Sequence, residues 1–332
     1  MTYLQIINEL NSRKFKPIYF LFGEEEYFID QISDYIENNA LNAAEKEFNQ
    51  SILYGIEIDP LSLEAEARRY PMMAEYNVVI VKEAQNLKQF EKLLNYVNNP
   101  SPSTILVLNY KHKKPNGRQA ITKALKKNAV FFESKRLYEN QVYEWLSTEV
   151  KRNGFTIEPK ATAMLVESIG IDLSKLSNEL SKLFISLEKG TTIQANSIEE
   201  NIGISKDYNV FELNKALATK DVLKANTIAQ HFGRNPKEYA LPKILPMIYR
   251  YFSQLLIYHQ YKGQPPKVLA TKMGVNPYFL KDFEKAAYNY NIKKIAQNIS
   301  HLRRADAHSK GIGASNLAVT EIYKELIFGI LH

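Results

Sequence analysis

An α/β domain built on a parallel sheet, followed by two helical regions, is the fold class this sequence predicts. Three observations predict it. Apolar runs of strand length alternate with helical stretches through residues 1–138. After Leu137 the apolar residues fall at helical spacing. The charge balance changes too, from 18 Lys and Arg against 17 Asp and Glu in residues 1–138, to 7 against 11 in 139–207, and 18 against 8 in 208–332. At 332 residues the chain is long for one core, and the expected domains are 1–138, 139–207 and 208–332.

The first domain is organised around Lys16–Asp30. Thr2 to Asn11 reads as a short amphipathic helix leading into it. Ile18 to Phe22 is an apolar run suited to a parallel strand covered on both faces. Gly23 makes a tight turn, and Glu24, Glu25 and Glu26 sit where a helix N-terminus favours negative charge. Ile29, Ile32, Tyr35 and Ile36 continue that helix on one face. Strand, glycine turn and helix N-terminus is also where a nucleotide-binding fold places its phosphate loop. Such a loop needs a second glycine followed by lysine and Ser or Thr. No Gly-Lys dipeptide occurs anywhere in the chain, and three carboxylates at the turn would repel a triphosphate. The architecture therefore reads as a degenerate P-loop that does not bind nucleotide.

Phe48–Tyr54 reads as the second strand, ended by Gly55. Asp59-Pro60 starts a helix with Leu61, Leu63 and Ala67 as its apolar positions. Asn77–Val81 and Thr104–Leu108 are strongly apolar strands, and Val130–Phe132 is a shorter one. The third strand runs into Lys82-Glu83, where an ATPase of this architecture would carry an Asp-Glu pair for magnesium and water. This departure and the one at Gly23 fall at mechanistically linked positions, and together they argue against hydrolysis.

Beyond Leu137 one helix is expected over 139–152, stopping near Asn153-Gly154, and another from Pro159. Leu173, Leu176, Leu180 and Leu183 mark the apolar stripe of a third. Gly190–Ile193 reads as a turn, and Ser197 as the cap of a short helix. In the last domain Leu241, Ile244, Leu245, Ile248, Phe252, Leu255, Leu256 and His259 share a face, with Pro242 and Pro246 expected to kink that helix. Asn276-Pro277 forms a cap and first turn. Ile292, Ile295, Ile299 and Leu302 give another face, and Leu317–Leu331 the final helix.

The absence of cysteine excludes disulfides, thiolate metal sites and cysteine nucleophiles, and suits a reducing cytoplasm. The N-terminus lacks the basic start and long apolar stretch of a signal peptide, and no run is long enough for a membrane span. The six histidines are scattered; His301 and His308 share a helical face without a third ligand, so no metal is expected. No nucleophile elbow and no H-E-x-x-H are present. No catalytic residues and no cofactor are expected, which favours a binding or assembly protein.

Three stretches remain as candidates. Lys111–Arg118 with Lys123, Lys126 and Lys127 carries seven Lys and Arg and no acid, which suits either a phosphate-contacting surface or a solvated loop and helix. Ala270–Leu280 has the small residue, Gly274 turn and apolar spacing of a helix-turn-helix, as does any tight corner between helices. Met72 and Met73 lie on a short connection between a helix and the Asn77 strand. Adjacent side chains diverge in direction, so both cannot face one core. Methionine is favoured on surfaces that fit an apolar pocket of a partner, and the other reading is that the pair covers the sheet edge.

Six segments in order resemble the delta-subunit family of bacterial DNA polymerase III clamp loaders along nearly the whole chain. They are Ile18–Phe22 with Gly23–Gln31; Pro71-Met72-Met73 before Val78–Val81; Asp172-Leu173 with Leu176–Leu183; Asn209–Leu213 with Ala216-Leu217; Met273–Tyr278; and Ala305–Gly311. The resemblance implies an AAA+-like module without a working ATP site, a small helical lid and a helical collar for oligomerisation. It implies as partners the sliding clamp (beta), the ATPase subunits (gamma/tau), delta-prime, and primed DNA through the assembled complex. The family grips the clamp with an adjacent apolar pair, commonly leucine and phenylalanine, and those positions fall on Met72 and Met73. The resemblance makes the corner at Gly274 a part of the collar. The rival expectation is a helix-turn-helix DNA-binding regulator with an α/β effector domain.

Overall fold

The parallel sheet expected from the apolar runs is present in the computed structural model, which describes residues 1–313 and 317–332. Contacts divide the chain into two units, Met1–Leu137 and Tyr138–His332.

The first unit runs α1 (Tyr3–Asn11), β1 (Ile18–Gly23), α2 (Glu26–Asn39), α3 (Ala43–Asn49), β2 (Gln50–Tyr54), α4 (Pro60–Ala67), β3 (Asn77–Lys82), α5 (Leu94–Asn98), β4 (Thr104–Lys111), α6 (Ala120–Asn128) and β5 (Val130–Ser134). The sheet order is β2-β3-β4-β1-β5 and every pairing is parallel, with Phe20 opposite Leu108 and Phe131. Side chains alternate across it. Tyr19, Leu21, Val78, Ile80, Ile105 and Val107 pack with Ile6 and Leu10 of α1 and Ile29, Ile32 and Ile36 of α2. Ile18, Phe20, Val79, Val81, Leu106 and Leu108 pack on the other face with Leu63 of α4, Tyr96 of α5 and Leu125 of α6. Helices on both faces explain why the central strands are continuous apolar runs. This is the AAA+-like arrangement expected.

Two local expectations in this unit fail. Phe48 and Asn49 end α3 rather than begin β2, because Asn42 and Glu45 form a capping box that sets a helix going at Ala43. Leu61 is exposed on α4, whose inward positions are Leu63 and Ala67.

The second unit contains α7 (Glu139–Arg152), β6 (Thr156–Ile157), α8 (Pro159–Ile169), α9 (Leu173–Ser186), β7 (Thr192–Ile193) and α10 (Ala195–Ile202). There follow α11 (Val210–Ala218), α12 (Val222–Arg234), α13 (Leu241–Tyr261), α14 (Pro266–Met273), α15 (Leu280–Asn289), α16 (Ile292–Ser309) and α17 (Val319–Leu331). The four leucines of α9 are buried as its spacing requires. The expected turn at Gly190–Ile193 instead ends in β7, which pairs in parallel with β6; a two-residue ladder is too short for alternation to reveal. Ser197 is the third residue of α10, and Gln194 occupies the cap. Pro242 lies in the first turn of α13, where its missing N–H has no partner to lose, so it starts the helix rather than kinking it. The helix continues through Pro246. Ile292, the first residue of α16, is exposed, while Ile295 and Leu302 are buried.

Buried tyrosines fasten this helical core. Tyr290 donates its hydroxyl to the Leu217 carbonyl, Tyr323 to that of Tyr239, and Tyr239 to that of Tyr208, each at 2.8 Å. Glu212 of α11, 3% exposed, pairs with Lys160 of α8 at 2.7 Å and with Lys224 of α12. Burial of the Glu212 carboxyl acts to raise its pKa, but the two ammonium groups outweigh this and hold it below its ordinary range.

Candidate interaction site

The turn between β1 and α2 is tied to the end of β5. Gly23 has φ +134°, and a Cβ there would collide with the Ser134 carbonyl oxygen of β5. That oxygen accepts the Glu25 N–H at 3.3 Å, and the Ser134 hydroxyl donates to the Glu25 carbonyl at 2.6 Å. Glu25 caps α2 through the Tyr27 N–H. Lys111, at the end of β4, reaches Asp30 at 2.8 Å and Glu26 at 3.3 Å, its side chain only 13% exposed. Burial acts to lower the Lys111 pKa, but the bond and charge of Asp30 and the charge of Glu26 prevail and raise it. Where a phosphate loop would bring backbone amides and a lysine to polyphosphate, here the Glu25 amide goes to Ser134, and Lys111 of β4 to Asp30 and Glu26. Lys82 is likewise turned to Glu37 at 3.5 Å.

Between α4 and β3 the chain forms a short projecting connection. Its base is pinned on the α4 side: Arg69 pairs with Glu66 at 2.6 Å and donates to the Phe48 carbonyl, and Glu66 accepts the Ser51 hydroxyl. On the β3 side, Ala74 and Tyr76 pack against the α1/α2 core, and buried Asn77 donates to the Glu66 carbonyl at 2.9 Å. Asn49, 2% exposed at the end of α3, binds the backbone of Met72 twice. It accepts the Met72 N–H at 2.6 Å and donates to the Met72 carbonyl at 3.0 Å. Its amide also donates to the Glu45 carbonyl. With its backbone fixed, the Met72 side chain is 58% exposed and Met73 is wholly exposed, on a left-handed backbone at φ +53°. Tyr70, two residues before Met72, and Phe48, next to Asn49 in sequence, are exposed as well. Met73 covers nothing of the sheet.

Asn49 is the residue that the sequence did not mark. A buried asparagine closing a helix has no motif, and its role appears only when α3 and the Met72 segment, 23 residues apart, are brought together.

The other candidates fall as follows. The fold brings acids to the basic stretch at Lys111: Lys111 binds Asp30 and Glu26, Lys114 pairs with Glu133 at 2.8 Å, and Lys126 lies over the Phe131 ring. Three of the seven cations thus have partners within the chain, while the Lys114 side chain stays 62% exposed. Ala270–Leu280 does form a tight corner, with Ala270 buried, Gly274 left-handed at φ +66°, and Asn276 capping a 3-10 turn through the Tyr278 N–H. His301 is pushed below its ordinary pKa by burial and by Lys294 and Arg304, while His308 lies 3.8 Å from Glu325. No group of three potential metal ligands occurs among the described residues. No helix among them is long and apolar enough to cross a membrane.

The fold defines a class, an AAA+-like α/β module followed by a helical body. Family comparison makes it particular. The model described as "DNA polymerase III, delta subunit" matches residues 19–135, and that described as "DNA polymerase III delta subunit, C-terminal domain" matches residues 207–323. Together they span more than half of the sequence, and the chain belongs to the DNA polymerase III delta subunit family. It is 29% identical over 286 residues to the DNA polymerase III subunit delta of Bacillus subtilis (strain 168), covering 82% of this chain and 81% of that one. It is 21% identical over 307 residues to a probable DNA polymerase III subunit delta of Aquifex aeolicus (strain VF5), covering 88% and 86%. The solved structure of the Bacillus subtilis DNA clamp loader delta protein superposes with a TM-score of 0.56 at 23% identity over 99% of both chains, which shows the common fold. Family membership makes the chain a component of a replication complex.

Proposed function

We propose that this delta subunit binds the ring-shaped sliding clamp through Met72 and Met73 and holds one ring interface open for loading onto primed DNA. The observation that carries the reading is the Met72–Met73 tip: two exposed apolar side chains on a backbone that Asn49 fixes from below. Burying two such side chains supplies roughly 3–6 kcal/mol gross, before the cost of ordering. Pre-fixing the backbone lowers that cost. Binding shifts the clamp toward its open form only through tighter affinity for that form.

The subunit does this without hydrolysing ATP. The commitment of the Gly23 turn to Ser134, and of Lys111 to Glu26 and Asp30, supports that reading. Residues 139–207 serve as the lid and 208–332 as the collar, which joins the gamma/tau ATPase subunits and delta-prime. ATP on those neighbours exposes or hides the methionine tip. The place of work is the cytoplasm.

The test is the double change Met72→Ser with Met73→Ser. Pulldown of the cognate clamp is lost while assembly with the other loader subunits survives; unchanged clamp binding refutes the site. Titration of the chain with ATP and magnesium gives no binding heat, and firm binding would overturn the account of the turn.

A further inference from the structure

Two aromatic residues are tied to the methionine tip and serve neither core of the first unit. Phe48, 58% exposed, stands at the end of α3, whose only buried residue is Asn49. Tyr70, 88% exposed, lies between Arg69 and the methionines. Neither ring joins the apolar cluster on either face of the sheet. Single exposed apolar residues are ordinary on a protein surface, and Ile56 and Leu61 are examples in this unit. Phe48 and Tyr70 differ from these because the backbone that carries them is fixed to the tip. The Arg69 guanidinium, itself paired with Glu66, donates to the Phe48 carbonyl at 3.3 Å. One residue further on, Asn49 holds both polar groups of the Met72 backbone. Three bonds thus join residues 48–49 to residues 69–72.

Methionine and aromatic side chains behave differently in an interface. Methionine adapts to an irregular pocket but loses the freedom of three rotatable bonds on burial. Phenylalanine and tyrosine have two, and offer a large rigid surface at a smaller entropic cost. Interfaces surround their central anchors with contacts that keep water out. Resting on the reading that Met72 and Met73 enter a pocket of the clamp, we infer that Phe48 and Tyr70 make a second contact, against apolar clamp surface beside that pocket.

Uncharged rings do not steer an encounter, so the contact acts on how long the complex lasts rather than on how fast it forms. The rings supply rigid area where the flexible methionine pair supplies fit. The hydroxyl of Tyr70 keeps one end of its ring polar, which suits the wet rim of an interface.

The test follows association and dissociation of the full chain on immobilised cognate clamp. Phe48→Ser and Tyr70→Ser each speed dissociation about tenfold and leave association unchanged, and Phe48→Leu recovers part of the loss. Leu61→Ser, at a comparably exposed position in the first turn of α4, binds as the parent does. Hydrogen exchange at the Met72 amide, which Asn49 holds, stays as slow in Phe48→Ser as in the parent. Parental dissociation from the double variant Phe48→Ser with Tyr70→Ser overturns the inference. So does a loss of binding that comes with faster exchange at Met72, since Phe48 would then support the tip rather than touch the clamp. A parent chain that dimerises in solution, and is made monomeric by Phe48→Ser, would assign the rings to a second copy instead. If the double aromatic variant binds normally while Met72→Ser with Met73→Ser does not bind, the clamp reading stands without the second contact. A parent that ignores the clamp removes both.

Discussion

Asn49 and Met72 are joined by a pair of hydrogen bonds at 2.6 and 3.0 Å, in which one buried side-chain amide takes both polar groups of a single residue's backbone. A side chain here does what a neighbouring strand would do in a sheet, and does it for one residue only. Asn49→Leu should therefore lower stability by about 1–3 kcal/mol through the orphaned Met72 groups. It should also weaken clamp binding although both methionines remain. Denaturant melts and clamp titration measure the two effects. Clamp affinity equal to that of the parent would show that the tip needs no support from α3.

Met73 holds φ at +53°, which costs a residue with a Cβ about 1–2 kcal/mol. Met73→Gly should leave stability unchanged or raise it, by up to about 1 kcal/mol, while reducing clamp binding. Opposite signs for the two readouts mark a residue kept for contact rather than for folding. A loss of stability equal to the loss of binding would argue the reverse.

Gly23→Ala introduces a Cβ into the Ser134 carbonyl at a backbone angle that L residues avoid. We expect a loss of more than about 3 kcal/mol, seen as a fall in the midpoint of urea unfolding. Wild-type stability would mean that β5 yields at the turn.

Two carboxyls of the second unit should respond to pH in opposite senses. Burial raises the Glu167 carboxyl from 4.5 to about 8, so the folded state holds a proton that the unfolded state has lost between those values. Stability from this group falls as pH climbs through that window, and Glu167→Gln should remove the slope, leaving the variant about 1–3 kcal/mol more stable than the parent at pH 9. Glu212 is lowered by Lys160 and Lys224, so its contribution is full above 4.5 and lost as pH falls through its folded value. Glu212→Gln should therefore cost most near neutrality and least in acid. Melting temperatures from pH 3 to 9 check both signs.

Much of the sheet was legible because strands covered on both faces leave a plain apolar signature. Ile18–Phe22, Asn77–Val81 and Thr104–Leu108 each appear within the observed strands. Edge strand β2 was misplaced at its start, since Phe48 has strand character but stands one turn inside a helix set by Asn42 and Glu45. Pro242 misled because a proline's effect depends on distance from the helix start, and no residue before Leu241 announces that start. The methionine pair could be picked out by its adjacency. Its support could not, because Asn49 acts across 23 residues and asparagine at a helix end is commonplace. The tie between the aromatic pair was invisible for a similar reason: Arg69 reaches the Phe48 carbonyl across 21 residues, and nothing in their spacing joins them.

The bond between Ser134 and Glu25 has a consequence for anyone wishing to retrofit an ATP site onto this scaffold. Planting a glycine and a lysine after Gly23 would restore the motif in letters only. The fifth strand would still plug the loop, and Lys111 would still neutralise Asp30 and Glu26 from behind. At least two distant segments would have to be rebuilt together before this turn could open toward a phosphate.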